Sequence, residues 1–185
     1  MLSNKIAELF RQIGSALFIR GLNHSHSGNL SIRIGNKIYI TRRGSMKGFL
    51  KRNDIICTGI KPSPKDKLAS TEINVHRAIY NTITAGAIVH CHPPITTALA
   101  FSRNEIIPID VEGLISLPKI PVLECIKATA SKELEEKLPP LLHKYKSVVV
   151  KGHGIFTVGQ TLEDAFHYAT LTEHISAILY YTEGA

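Results

Sequence analysis

The run Ala87-Ile88-Val89-His90-Cys91-His92-Pro93-Pro94 constrains this chain more than any other stretch. An apolar run rich in β-branched residues that stops at two prolines reads as a buried strand with a sharp end. Alternate side chains of a strand share a face, so His90 and His92 point the same way, roughly 6.5–7 Å apart at Cα. Two imidazoles on one face at a strand end can grip one metal ion. Cys91 points to the opposite face and is left out of that site. The plain alternative is two histidines packed at a sheet edge, and the rest of the chain has to decide.

The flanking patterns predict the elements that would hold this strand. Ser3 caps a first helix with Ile6, Leu9, Phe10, Ile13 and Leu17 on one face, stopped near Gly21. Leu30 to Ile34 and Lys37 to Ile40 alternate around Gly35-Asn36, the pattern of a β-hairpin. Ile55 to Ile60 reads as another strand, and Ser70-Thr71-Glu72 opens a helix carrying Ile73, Ile79, Tyr80 and Ile83. A short helix is expected over Thr96 to Phe101. Ile106 to Ile109 and Ile120 to Leu123 are short extended pieces whose prolines suggest edges or ends. Thr129 to Leu138 reads as a helix ended by Pro139-Pro140. Ser147 to Lys151 is a strand, and Ile155 to Val158 is its continuation or its hairpin return. Thr161 caps a last helix. Helices and strands interleave but hairpins are mixed in, so a mixed, substantially antiparallel sheet covered by helices is expected.

Composition narrows the class. A chain of 185 residues, 44% apolar and 20% charged, suits one domain, residues 1–185, with a sizeable core. No apolar run approaches the roughly 20 residues needed to cross a bilayer, and Met1 to Ile13 lacks a signal-peptide core. Cys57, Cys91 and Cys125 are scattered and odd in number, which suits free thiols in a reducing compartment. A cytoplasmic protein without a membrane partner is therefore expected. The net charge of +7 favours anionic partners. No nucleic-acid motif is present, tryptophan is absent and aromatics are few, so nucleic acid is not expected as a partner. The basic cluster of Arg42, Arg43, Lys47, Lys51 and Arg52 reads either as a solvated loop or as a phosphate attractor. Lys61, Lys65 and Lys67 read as a solvated loop.

A third histidine changes the balance for the first two. His153 lies between Gly152 and Gly154 at the end of an apolar strand, displayed rather than packed. Three imidazoles from two strands leave open coordination positions, the pattern of a catalytic zinc or a similar divalent ion. His24 and His26 form a second His-x-His, but in a polar loop, and read as exposed. Glu72 is either a base beside the metal or a helix-start carboxylate, which the dipole favours by roughly 0.3–1 kcal/mol. Ser70 and Thr71 either cap the helix or, with its first free N–H groups, hold a phosphate. Gly28, Asn29 and Gly44 either add donors or simply make turns.

Five segments occur together in a matching order and spacing over most of the chain. They are Gly28-Asn29-Leu30-Ser31-Ile32-Arg33; Ile40-Thr41-Arg42-Arg43-Gly44; Ser70-Thr71-Glu72 followed by His76; Val89-His90-Cys91-His92; and Lys151-Gly152-His153-Gly154. On these residues the sequence resembles the class II aldolase/adducin family. The resemblance implies an α/β fold, a three-layer α/β/α sandwich with a mixed, mostly antiparallel central sheet. It implies a homotetramer with active sites between subunits. It also implies one divalent metal ion per subunit, zinc foremost, on His90, His92 and His153, with Glu72 joining them in the empty site.

For activity the resemblance implies a metal-dependent aldolase. Such an enzyme cleaves a phosphorylated ketose of the L-fuculose 1-phosphate type to dihydroxyacetone phosphate and an aldehyde through a metal-stabilised enediolate. Glu72 would be the acid/base, and Gly28, Asn29, Gly44, Ser70 and Thr71 the phosphate pocket. Alternatives within the family are a methylthioribulose-1-phosphate dehydratase and a ketopentose-phosphate 4-epimerase; outside enzymes, an adducin-like scaffold, which predicts loss of the metal histidines. Two departures stand out. The loop at Arg42-Arg43 is basic where the family often has Thr-Pro-Ser/Thr-Gly, so Arg43 either strengthens phosphate binding or faces solvent. The segment Pro108 to Gly113 has no tyrosine where the fuculose-type enzyme carries its acid, and Glu112 lies near that column. Glu112 is thus a second catalytic candidate, as in the dehydratase branch. A C-terminal lid, present in some members, is expected to be short or absent after Tyr180-Tyr181.

Overall fold

The computed structural model describes residues 2–183. Its centre is one eight-stranded sheet built from β1 (Asn29–Ile34), β2 (Lys37–Thr41), β3 (Ile55–Gly59), β4 (Ala87–Cys91), β5 (Glu105–Ile106), β6 (Ile120–Leu123), β7 (Ser147–Val150) and β8 (Gly154–Gly159). The strand order is β3-β2-β1-β4-β8-β7-β6-β5. Every neighbouring pair is antiparallel except β6 with β7. The helices are α1 (Asn4–Ile19), α2 (Ile73–Thr82), α3 (Pro94–Leu99), α4 (Val111–Ser116), α5 (Lys132–Lys144) and α6 (Leu162–Glu183). This is the mixed, mostly antiparallel sheet expected, and β8 is the hairpin return of β7.

Strand alternation divides the core into two faces. Val89, Cys91 and Ile155 pack with Phe10, Ile13 and Leu17 of α1 and with Ala165, Ala169 and Ile175 of α6. Ile88, Val148, Val150 and Phe156 pack with Ile73, Ile79 and Tyr80 of α2 and with Leu134 and Leu138 of α5. Burying one such aliphatic side chain stabilises the fold by roughly 1.5–3 kcal/mol, so each face holds its helices firmly. Cys91 lies on the α1/α6 face, as the alternation requires. His90 lies on the other, beside α2.

Local signals set most boundaries. The Ser3 side chain accepts from the Ile6 N–H, and α1 ends with Leu22 N–H bonded to the Leu17 carbonyl and Gly21 N–H to that of Phe18. The corner after β4 has a less local device. Helix α3 has no side-chain cap of its own. Glu173 of α6 supplies one, accepting from Ile95 N–H at 3.1 Å, Thr96 N–H at 2.8 Å and the Thr96 hydroxyl at 2.7 Å. A carboxylate is well placed there, because the N-terminal N–H groups carry partial positive charge. Glu173→Ala strips the two N–H groups of their acceptor, while the Thr96 hydroxyl can still donate to Ser176 Oγ at 2.9 Å. The expected cost is about 2 kcal/mol, read as a lower urea midpoint at an unchanged slope. A midpoint equal to that of the wild type would show that water replaces the carboxylate.

Three boundaries depart from the sequence reading. Helix α5 starts at Lys132, capped by Ser131, and runs through Pro139 and Pro140 to Lys144 instead of ending before them. The prolines leave the carbonyls of Glu135 and Glu136 without helical donors. Glu136 is exposed, so water can serve it, while Leu134, Leu138, Pro139 and Leu142 are buried and hold the helix on the sheet. The extended piece over Ile106 to Ile109 shrinks to β5 at Glu105–Ile106, and the unforeseen helix α4 comes after it, with Asp110 accepting from Gly113 N–H at 2.8 Å. The helix expected over Thr96 to Phe101 is α3, two residues earlier.

Candidate metal centre and active site

Three adjacent strands deliver the site. Asn29 of β1 stands opposite His90 of β4, and His90 stands opposite Phe156 of β8. The His90 ring stacks on Phe156, with centroids 4.1 Å apart and planes at 15°. Its Nδ1–H donates to the Ile155 carbonyl at 2.8 Å. That bond fixes the tautomer and leaves Nε2 with a free lone pair. His92, one residue past the strand, brings its Nε2 to 3.0 Å from that of His90. His153 sits in the turn between β7 and β8, its ring 4.6 Å from that of His90 and 4.9 Å from that of His92. The turn fits only because residue 154 is glycine: a Cβ there would strike the Cys91 carbonyl and come within 3.0 Å of the His92 ring.

The electrostatics suit a cation. One nitrogen from each of His90, His92 and His153 lies within 4.8 Å of the others, and among the described residues this is the one cluster of its kind. Burial, with repulsion from His153, keeps His90 far below the usual histidine range. Burial, reinforced by His90, pushes His92 down to about 2. Both rings are therefore neutral at pH 7 and offer lone pairs without first losing a proton. The His153 Nδ1 is buried with no hydrogen-bond partner. An orphaned, buried imidazole nitrogen is costly without a partner, and the set of three imidazoles fits zinc or a similar divalent ion.

Glu72 closes the cluster. It is the residue before α2 and is 3% exposed, yet its side chain makes no cap bond to its own helix. Instead Oε2 accepts from Asn29 Nδ2 at 3.0 Å and lies 3.3 Å from His90 Nε2, while Oε1 accepts from the Thr129 hydroxyl at 3.4 Å. The carboxylate is thus directed into the cleft, although the residue stands at the start of α2. Ser70 Oγ accepts from the Glu72 N–H at 3.3 Å and shapes the turn into α2. Further along α2, His76 is fully buried, bonded through Nδ1 to Ser31 Oγ at 2.7 Å, which in turn meets Tyr80 Oη at 2.8 Å. Burial takes His76 down to about 4, so it belongs to the neutral support under the site.

One cleft of about 170 Å³ gathers Gly28, Asn29, Arg43, Gly44, Ser70, Thr71, Glu72, His90, His92 and His153. Residues from five separate segments of the sequence thus converge. The cleft also takes in His26, Arg42, Lys47 and Thr129, to which the sequence reading gave no individual role. The basic cluster was the available signal for Arg42 and Lys47; nothing local marks Thr129. His24 is exposed, its ring 6.2 Å from that of His92 and outside the metal cluster. Glu112 is not brought to the histidines within the chain. It is exposed on α4 and lines a different cleft with Arg20, His167 and His174. A larger open cleft of about 580 Å³ lies by Arg33 and Tyr80, at the other end of β1 from Asn29, and holds none of these groups.

A mixed sheet that brings three imidazoles together at neighbouring strand ends, with the buried Glu72 carboxylate beside them, makes a site able to hold a metal ion of the kind that polarises a bound oxygen. Comparison with known proteins makes this specific. Residues 5–180 match the Class II Aldolase and Adducin N-terminal domain, and the chain belongs to that family. It is 31% identical over 172 residues to the L-fuculose phosphate aldolase of Methanococcus maripaludis, covering 92% of this chain and 94% of that one. It is 28% identical over 181 residues to the 5-methylthioribulose-1-phosphate/5-deoxyribulose-1-phosphate aldolase of Escherichia coli, covering 95% of this chain and 81% of that one. The crystal structure of L-fuculose-1-phosphate aldolase from Thermus thermophilus superposes with a TM-score of 0.94 at 32% identity, covering 98% of this chain and 95% of that one. The class II aldolases of this family are metal-dependent enzymes acting on sugar phosphates, and the similarity to sugar-phosphate aldolases points to lyase activity. No helix among the described residues is long and apolar enough to cross a membrane.

Proposed function

We propose that residues 1–185 form one class II aldolase/adducin-type domain that cleaves a ketose 1-phosphate of the L-fuculose 1-phosphate type to dihydroxyacetone phosphate and an aldehyde. The observation that carries this reading is Glu72: a buried carboxylate, held by Asn29 and Thr129, beside three imidazoles and in one cleft with Gly44, Ser70 and Thr71. His90, His92 and His153 would hold the divalent ion, and Glu72 joins them while the substrate is away. Bound there, a zinc ion supplies Lewis-acid stabilisation of the oxyanion that develops when the C3–C4 bond breaks.

The chain's own residues do the rest. In the cleavage direction a base takes the C4 hydroxyl proton, the C3–C4 bond breaks and its electron pair passes into the enediolate. Glu72 in its carboxylic acid form then gives a proton to C3; in synthesis the Glu72 carboxylate removes that proton. Gly28, Asn29, Gly44, Ser70 and Thr71, with Arg43, hold the phosphate through N–H, amide, hydroxyl and guanidinium donors. The phosphate does not react, so its binding energy serves to orient the reacting carbon. The protein works in the cytoplasm as a homotetramer. Glu112 favours a second reading, a methylthioribulose-1-phosphate dehydratase. It stands on α4 among the exposed apolar residues Val111, Leu114 and Ile115, a face suited to burial against another subunit, where Glu112 would act as an acid in that subunit's cleft.

The test is product analysis with the zinc-loaded protein offered L-fuculose 1-phosphate, ribulose 1-phosphate and methylthioribulose 1-phosphate. Dihydroxyacetone phosphate is the expected product, and relative rates rank the aldehydes. A dehydrated diketone in its place moves the assignment to the dehydratase and makes Glu112 the residue to replace next.

A further inference from the structure

The basic loop after β2 contains one residue that does not behave as a loop lysine should. Arg42 is half-buried and Arg43 exposed, but Lys47 is 2% exposed. Helix α1 covers it: the backbone of Gly14 packs so closely on the Lys47 carbonyl that a Cβ could not be fitted between them. Lysine is almost never buried without a partner of opposite charge. Among the described residues no carboxylate oxygen lies within 4.0 Å of the Lys47 Nζ, the distance that defines an ion pair. The ammonium donates to the carbonyls of Ser45 at 2.7 Å and His26 at 3.3 Å. It has three N–H groups, so these two bonds leave one over.

Position gives that spare donor a direction. Lys47 lines the cleft that holds Gly44, Ser70 and Thr71, and its charge is felt at His90. Burial draws its pKa down from 10.5 to about 8, with Asp54 opposing the shift. The ammonium is therefore still charged at pH 7, and among the described residues no carboxylate pairs with it directly, Asp54 acting only from beyond ion-pair distance.

We propose that Lys47 is a substrate-binding residue whose ammonium is the built-in counter-charge for a dianionic phosphate, and that it gives the cleft its preference for phosphorylated over neutral sugars. This rests on the reading of the cleft as a sugar-phosphate site. It adds a buried point charge to the neutral donors and exposed guanidinium already described. A point charge of this kind is worth most where water is excluded.

Lys47 also ties loops together, since its backbone N–H bonds to the Ser25 carbonyl at 3.0 Å. The experiment has to separate binding from stapling. Lys47→Met and Lys47→Arg are compared with the wild type, all zinc-loaded, by calorimetric titration with inorganic phosphate and by steady-state kinetics. Lys47→Met weakens phosphate binding at least about tenfold and lowers kcat/KM by a similar factor, while zinc content holds; Lys47→Arg recovers most of the loss. Unchanged phosphate affinity in a folded Lys47→Met protein overturns the proposal. If that variant does not fold, nitrogen-15 lysine NMR of the wild type decides: phosphate shifts the Lys47 ammonium resonance, and no shift at saturating phosphate overturns the proposal. Phosphate binding that depends on Lys47 in a protein releasing no dihydroxyacetone phosphate leaves this inference standing and removes the aldolase reading. Dihydroxyacetone phosphate release with Lys47-independent phosphate binding does the reverse.

Discussion

Replacing His153 by alanine leaves a folded chain that no longer holds zinc. Two imidazoles remain, His90 and His92, and two nitrogens alone make a weak site for an ion that prefers four ligands. Loss of a mere hydrogen-bonding partner of a ligand lowers metal affinity about 10–100-fold, so loss of the ligand costs at least that. The structure adds a sharper expectation. In the metal-free chain the His153 Nδ1 is buried without a partner, so the ring contributes little to the fold. Metal-free wild type and His153→Ala therefore melt at nearly the same temperature. Zinc at about 100 times its Kd stabilises the wild type by about 2.7 kcal/mol and leaves the variant where it was. Melting curves with and without zinc, with zinc content measured after dialysis, check both halves. Equal zinc content in the two proteins would remove His153 from the ligand set.

This site was partly written in local pattern. His90 and His92 were legible because strand alternation has a fixed period of two, and the same rule put Cys91 on the α1/α6 face. His153, a weak signal alone, was legible as a third imidazole displayed between two glycines at a strand end and added to the His90/His92 pair. The environment of Glu72 was not legible, because it depends on a pairing between distant strands. Asn29 reaches the carboxylate only because β1 sets it opposite His90, and no spacing within one segment encodes that register. Lys47 shows the same limit. Its place in a basic cluster is visible in the sequence, but its burial comes from α1 packing on the loop more than thirty positions away in the chain.

The local rules misled where packing overrode them. Pro139-Pro140 reads as a helix stop, yet α5 continues, because the helix buries Leu142 against the sheet beyond the prolines. The run from Ile106 to Ile109 reads as a strand on β-branched content. Pro108 interrupts it, and the Asp110 cap starts α4 at Val111 instead. That error matters for chemistry, since α4 carries Glu112 to the surface and away from its own chain's histidines.

Glu72→Gln is the variant with the largest expected effect on turnover; because Glu72 joins the three histidines in the empty site, the variant holds zinc more weakly and is compared with the wild type at saturating zinc. The three imidazoles that form the cluster are untouched. Glutamine has the shape of glutamate, and its carbonyl oxygen can still accept from Asn29 Nδ2, while its amide can donate to the Thr129 hydroxyl, which accepts as readily as it donates. The substitution removes a group able to carry a proton between solvent and carbon. Removing a positioned acid/base lowers kcat by about 10²–10⁴, with KM within a few-fold, because the phosphate contacts remain. The decisive measurement isolates that proton. Dihydroxyacetone phosphate in deuterated water, with the zinc-loaded wild type, exchanges one hydrogen on the carbon that bears the free hydroxyl, and NMR follows the loss of signal. Glu72→Gln binds the ketone but does not exchange it. Exchange at the wild-type rate in this variant would assign the proton to another group, with His26 of the same cleft the next to replace; full zinc content in the variant separates either outcome from loss of the metal.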